Sequence, residues 1–211
     1  PICSSAAFGG ASRNTGGQLM AGGYFADAGL FLVDTVLGLY ILIVLLRFLF
    51  QLVRVDFYNP LSQFIVKASN PPLARLHQLI PSLWGIDLGA IVLLLILEGL
   101  RLALTTLMLG HTPRMSGVLI LSIGELLKLA VYVVVFSIFV RALLSWVSSG
   151  TSNPMARLLG SFTEPLLAPA RRLLPATGGL DLSPIIVFMV LMLGLKLIIQ
   201  PLLDMGRAML L

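Results

Sequence analysis

The chain of 211 residues is 58% hydrophobic and only 11% charged, with a mean hydropathy of +1.01, whereas a soluble domain carries roughly 25% charged residues. A water-soluble monomer is excluded, and at about 20 apolar residues per span the length accommodates a handful of membrane helices. Fourteen basic against nine acidic residues give a net charge of +5; the basic bias of loops on one membrane face accounts for it, and no nucleic-acid partner is expected. Cys3 is the single cysteine, so neither an intrachain disulfide nor a cysteine-cluster metal site can form.

Residues 1–24 read as a disordered or non-native leader. The stretch 1–23 is rich in Gly, Ser and Ala, shows no helical pattern, and begins at Pro1, as a processed, tagged or truncated start would. Met20 is a candidate native start, and no basic region followed by an apolar core marks a cleavable signal. Four apolar stretches follow, at about 28–50, 86–109, 118–140 and 182–203. Breakers separate them: Asn59-Pro60 and Pro71-Pro72, then His111-Thr112-Pro113, then Asn153-Pro154 with Gly178-Gly179. The expected fold is an all-α membrane protein of four transmembrane helices.

Sliding the chain against itself by 94 residues exposes an internal repeat. Over 44 aligned positions starting at Arg47 and Arg141, 13 are identical, where ordinary residue usage gives roughly three. The matches include Arg47 with Arg141, Asn59-Pro60 with Asn153-Pro154, Pro71 with Pro165, Pro81 with Pro175, and Asp87 with Asp181. Residues 25–110 and 111–211 are thus two units of span, loop and span. An even number of spans per unit makes the repeat parallel, which weakens an alternating-access transporter reading without excluding it, since both repeat types occur among transporters. Eight basic residues, Arg47, Arg54, Lys67, Arg75, Arg141, Arg157, Arg171 and Arg172, lie in or beside the repeat loops. The loops are therefore expected to face the cytoplasm, with both termini on the periplasmic side.

Each loop carries an apolar stripe at helical spacing, Leu61, Phe64, Ile65 and Ala68 in the first copy and Met155, Leu158, Leu159 and Phe162 in the second. Asn59 and Asn153 are suited to cap such helices, and Pro60 and Pro154 to occupy their first position. Two short segments per loop are expected, the second at 71–80 and 165–174, lying in the membrane interface with Lys67 or Arg157 reaching headgroups. Lys67, Arg75, Arg157, Arg171 and Arg172 are candidate lipid- or partner-binding residues. Ordinary topology marking is the alternative for Arg171-Arg172. Asp87 and Asp181 stand where a carboxylate caps an incoming helix.

Charges inside the spans are costly and count as functional candidates by default. Glu98 with Arg101 and Glu125 with Lys128 are three residues apart, so each can pair locally; a Glu98 to Lys196 contact is the alternative. Asp34 lies near a span end, within reach of water or headgroups. Catalytic patterns are lacking: His77 and His111 fall on opposite sides of the membrane under this topology and cannot share a metal or haem. No zinc-protease, phosphate-loop or serine-elbow motif occurs. Ser145 and Ser148 have no histidine base nearby, and Trp146 suits an interface anchor. Neither an enzymatic activity nor a cofactor is expected.

The second copy, with Arg141, Trp146, Asn153-Pro154, Thr163-Glu164-Pro165, Pro169, Arg171-Arg172, Pro175, Gly178-Gly179, Asp181 and Ser183-Pro184, resembles the YggT family of small membrane proteins. The first copy looks like a divergent second unit, with Ser69-Asn70-Pro71 and His77-Gln78 where the motif has Thr-Glu-Pro and paired arginines. The resemblance implies a bacterial inner-membrane protein without a defined enzymatic activity. Members are linked variously to osmotic tolerance, ion or solute handling and envelope or division machinery, and photosynthetic relatives to thylakoid or nucleoid organisation and haem attachment to a cytochrome b. The expected function is a membrane scaffold or assembly factor working with the bilayer and another membrane or cytoplasmic protein. The alternative is a small channel or transporter component for ions or osmolytes, which at this size needs to form a homo-oligomer to enclose a pore.

Overall fold

A computed structural model describes residues 15–55, 59–79, 87–147, 154–173 and 183–210. The described elements are all helical: α1 Thr15–Val53, α2 Pro60–Leu79, α3 Leu88–Met108, α4 Met115–Val147, α5 Pro154–Leu173 and α6 Ser183–Gly194. A π turn at Leu195–Ile199 then leads into α7 Gln200–Leu210. Four stretches are long and apolar enough to cross a membrane: Asp27–Val53, Leu88–Met108, Met115–Leu144 and Ser183–Leu210. The chain is a multi-pass all-α membrane protein, and the apolar side chains left exposed along these spans, such as Phe31, Val36, Ile96 and Ile198, suit a lipid environment.

The spans pack in the order α1, α3, α4 and α6–α7, with α2 laid on α1 and α3 and α5 on α4 and α6. The two units meet along α3 and α4, and again where α1 touches α5. There Phe50 and Phe162 stack edge to face with ring centroids 5.3 Å apart, inside a core that also holds Val55, Ile65, Val133 and Leu158. A second core, around Ile41, Val44, Leu73, Ala90 and Leu94, seals α1, α2 and α3 together.

Two expectations change. Helix α1 begins at Thr15, so the part of the 1–24 leader from Thr15 onward is helical; residues 1–14 lie outside the described residues. Extending an existing helix adds one hydrogen bond per residue fixed and needs no new nucleus. Each repeat loop, moreover, forms one 20-residue helix in place of two short segments, running through Pro71-Pro72 in α2 and through Pro165 and Pro169 in α5. Its inner face is buried against the bundle, so the helix is packed on the protein as well as suited to the interface.

Pro201 explains the break in the last span. Having no amide hydrogen, it cannot bond the carbonyl of Leu197, and the helix widens just before it so that the Gln200 amide reaches back to Leu195. Beyond this turn α7 makes the most extensive helix contact among the described residues, against α4. Glycines permit the approach: a Cβ on Gly206 would stand 2.9 Å from the Leu121 backbone nitrogen, and one on Gly117 would collide with the Leu210 backbone. Gly110, at φ +81, ends α3 in a left-handed turn. Gly206→Val is expected to cost about 1–3 kcal/mol through overpacking, read as lost thermal stability in detergent. Gly38→Ala, into open space, is expected to cost nothing.

Candidate functional site

Near the loop end of α1 and of α4 a single arginine reaches sideways into the neighbouring amphipathic helix. Arg47 Nη1 donates to Ser69 Oγ at 3.1 Å, to the Val66 carbonyl at 3.3 Å and to Asn70 Oδ1 at 3.5 Å. Arg141 Nη1 donates to Thr163 Oγ1 at 2.7 Å and to the Gly160 carbonyl at 3.3 Å, while its Nη2 binds Glu164 Oε2 at 2.9 Å. Every pair of partners is related by the same 94-residue offset. The receiving hydroxyls are themselves anchored, Ser69 donating to the Ile65 carbonyl and Thr163 to the Leu159 carbonyl, each at 2.7 Å.

Pro71 and Pro165 leave the carbonyls four residues earlier without a helical partner, and the arginine bonds the carbonyl just before that gap. A guanidinium carries five donors in a fixed fork, so it can hold a carbonyl and a hydroxyl together. Asn59 caps α2 through the Leu61 amide at 3.0 Å and also donates to the Pro154 carbonyl at 2.7 Å, tying the starts of α2 and α5 across the repeats. Asp87 caps α3 through the Ala90 amide at 3.0 Å and accepts from His77 Nε2 at 2.8 Å, which fastens the end of α2 to the start of α3.

Toward the opposite end lie the charges of the spans. Arg101 binds Glu98 at 2.5 Å on its own helix and Asp34 of α1 at 2.6 Å. Lys128 binds Glu125 at 2.9 Å, and Arg207 approaches Glu125 from α7 at 3.8 Å. Lys196 stands apart on the π turn, exposed, with no acidic partner among the described residues. Thirteen residues separate it from Ser183, about 20 Å along the helix at ~1.5 Å per residue.

A family model described as CCB3/YggT matches the chain twice, over residues 26–108 and 120–202. The chain belongs to the CCB3/YggT family. The two matches are displaced by the offset that relates the arginine clamps, so each match is one YggT unit. An uncharacterized protein of Pseudomonas aeruginosa is 44% identical over 175 residues, 82% of this chain and 89% of the relative. An uncharacterized protein from the proC 3' region of Vibrio alginolyticus is 41% identical over 75% of this chain and 86% of its own length. The uncharacterized protein YggT of Escherichia coli K12 is 38% identical over 76% and 84%. No solved structure matches the chain.

The candidate residues separate into distinct environments. In the YggT loop helices Lys67, Arg75, Arg157 and Arg172 are exposed, and Lys67 shares a shallow cleft of about 540 Å³ with Arg47, Gln51 and Gln63. Arg171 is engaged, binding Glu164 at 2.8 Å, so Glu164 bridges Arg141 and Arg171. Pro60 and Pro154 open α2 and α5. Glu98 pairs with Arg101 in place of Lys196. His77 and His111 lie at opposite ends of the bundle, at the end of α2 and between α3 and α4. Asn153, Pro81, Pro175, Asp181, Ser148 and the side chains of Ser145 and Trp146 lie outside the described residues.

Sequence reasoning missed the hydroxyl partners Ser69 and Thr163 and the reach of Arg101 to Asp34. The first was visible as a hydroxyl residue two places before Pro71 and Pro165 in both copies, hidden because serine and threonine are not identical. The second had no signal, since 67 residues separate the partners.

Arg141→Ala is expected to lower stability by about 2 kcal/mol, the scale of hydrogen bonds to a charged group, and Arg141→Lys to recover only part of it because an ammonium lacks the fork. Denaturant unfolding of the purified protein checks both. Arg101→Ala leaves the Glu98 carboxylate, whose side chain is 3% exposed, without its counter-ion, and is expected to cost about 3–5 kcal/mol. Asp34→Ala, at a side chain 59% exposed, is expected to cost less than about 1 kcal/mol. Equal losses in the same unfolding assay would show that burial of Glu98 does not control the pair.

Proposed function

We propose that this YggT-family chain is a non-enzymatic scaffold or assembly factor of the bacterial inner membrane, engaging the cytoplasmic leaflet and a partner protein through α2 and α5. One observation carries the reading. Each amphipathic helix is pinned from behind by an arginine while Lys67 and Arg75, or Arg157 and Arg172, remain exposed. A rigidly held helix presenting basic side chains suits recognition of anionic lipid or of an acidic protein segment, since little further ordering is needed on binding. The cytoplasmic placement follows from the basic residues concentrated at this end, and the link to envelope organisation and osmotic tolerance from the family resemblance.

A second reading, a channel or transporter component for ions or osmolytes, is favoured by Lys196 alone, an exposed charge without a described partner deep in a span. Such a component would be a homo-oligomer in which Lys196 meets another copy. Affinity isolation of the full chain in mild detergent separates the two. The scaffold reading expects a stoichiometric partner that is lost with Arg157→Ala combined with Arg172→Ala and retained with Lys196→Ala. Ion or osmolyte flux in vesicles containing only this protein, abolished by Lys196→Ala, would overturn it.

A further inference from the structure

The clamp arginines of the two units differ in what neutralises them. Arg141 Nη2 binds the Glu164 carboxylate at 2.9 Å. The matching position in the first unit is Asn70, whose Oδ1 accepts from Arg47 Nη1 at 3.5 Å, the outer limit of a hydrogen bond. Nη1 also donates to Ser69 and to the Val66 carbonyl, so every bond of this guanidinium comes from one nitrogen, and among the described residues Nε and Nη2 have no acceptor. Asp87 acts on Arg47 through space without reaching ion-pair distance, and its carboxylate is bonded to the Ala90 amide and to His77.

Arg47 is half-buried, six residues before the end of α1, about 9 Å into the span at ~1.5 Å per residue. A guanidinium at that depth with two nitrogens unbonded needs water or an anion to meet them. It shares a cleft of about 540 Å³ with Lys67, which is exposed and has no bonded partner among the described residues. Arg47 and Gln51 are four residues apart on α1, and Gln63 and Lys67 four apart on α2, so each pair lies on one face of its helix and the two faces form the walls. Val66 completes the described lining, which holds no carboxylate. Two cations beside amide side chains, with no acid among them, make a site for an oxyanion. A tetrahedral phosphate has more acceptor oxygens than a carboxylate and suits a guanidinium fork on one wall with an ammonium on the other. We propose that the cleft between α1 and α2 binds one phosphate group through Arg47 and Lys67, in the place that Glu164 fills in the second unit. The group belongs either to a lipid headgroup or to a free phosphate, which present the same chemistry to the two cations. This deepens the reading of α2 as a basic recognition helix, on which it rests, by naming the ligand.

Two probes test it on the purified full chain in mild detergent. Native mass spectrometry compares retention of phosphatidic acid with that of diacylglycerol of identical acyl chains, which differ only in the phosphate, and equilibrium dialysis measures inorganic phosphate. Retention of phosphatidic acid at least tenfold above diacylglycerol assigns the group to a lipid headgroup. Saturable binding of one inorganic phosphate per chain, with the two lipids held equally, assigns it to a free ion. Either signal is expected to weaken at least tenfold with Lys67→Gln and to vanish with Asn70→Glu, which gives Arg47 the carboxylate that Arg141 has. Because Asn70→Glu completes an ion pair, its thermal unfolding midpoint is expected to hold or rise, which separates loss of the site from loss of the fold. Arg114→Ala, which removes an exposed cation at the opposite end of the bundle, is expected to change nothing. Binding of neither probe overturns the proposal, as does binding that either cleft variant leaves unchanged. Asp56 lies outside the described residues; binding gained only with Asp56→Asn would give the cleft to the chain's own carboxylate and overturn the proposal as well. The assays contain this protein alone, so their failure is separate from a failure of the partner isolation that tests the scaffold reading.

Discussion

The structure depends on how a charge near the end of each span is bonded to a proline-containing helix beside it. An arginine near the end of an apolar span must keep its guanidinium either in water or fully bonded, because an unpaired charge in a low-dielectric setting is strongly disfavoured. A helix interrupted by proline has carbonyls with no amide to meet them. Arg47 and Arg141 meet the first requirement by bonding the Val66 and Gly160 carbonyls, one residue before those that Pro71 and Pro165 leave open, and the hydroxyls of Ser69 and Thr163 complete the circuit by bonding both the arginine and their own helix. The bond runs sideways from span to loop helix, so it sets where α2 and α5 lie. Their apolar faces then close the cores beneath them, Leu73 in the first unit and Leu167 in the second.

With the clamp retained, the two units have diverged around it. Asn70 and His77 of the first unit correspond to Glu164 and Arg171 of the second. Glu164 and Arg171 form an ion pair from either side of Pro165, and His77 of the first unit bonds Asp87. The two positions differ together, charged in the second unit and neutral or titratable in the first, so that position 70 places no carboxylate beside Arg47. A larger divergence comes from Pro201 against Leu107. One removed amide widens a helix turn in the last span, and the units also differ in that α1 and α3 meet in a closed seam while a cleft opens between α4 and α6.

The charges within the spans follow the same electrostatic logic at the other end of the bundle. Glu98 is buried and is neutralised on its own helix by Arg101, which then reaches Asp34 and fastens α1 to α3. Glu125 is held by Lys128 and approached by Arg207, which links α4 to α7. These pairs join helices whose contacts are otherwise apolar and non-directional, and so favour one rotational setting over its neighbours. Lys196 has no such neighbour among the described residues, which is why a channel reading has any support at all.

Much of this was legible from residue order. Low charge and long apolar runs specify four spans because a bilayer admits few alternatives, and the 94-residue repeat specifies two parallel units. The caps at Asn59 and Asp87 and the pairs Glu98–Arg101 and Glu125–Lys128 were readable because each links residues within four positions, where helix geometry alone brings side chains together. Less legible was whether a loop would be two short helices or one, since proline removes a bond without stating whether packing will hold the halves in line. Contacts between elements were decided only by the tertiary structure: Arg47 to Ser69, Arg141 to Thr163, Arg101 to Asp34, Phe50 to Phe162, and the cleft beside Phe139. Periodicity describes a single helix, whereas these depend on the rotation and depth at which separate helices meet, which only the packed bundle sets.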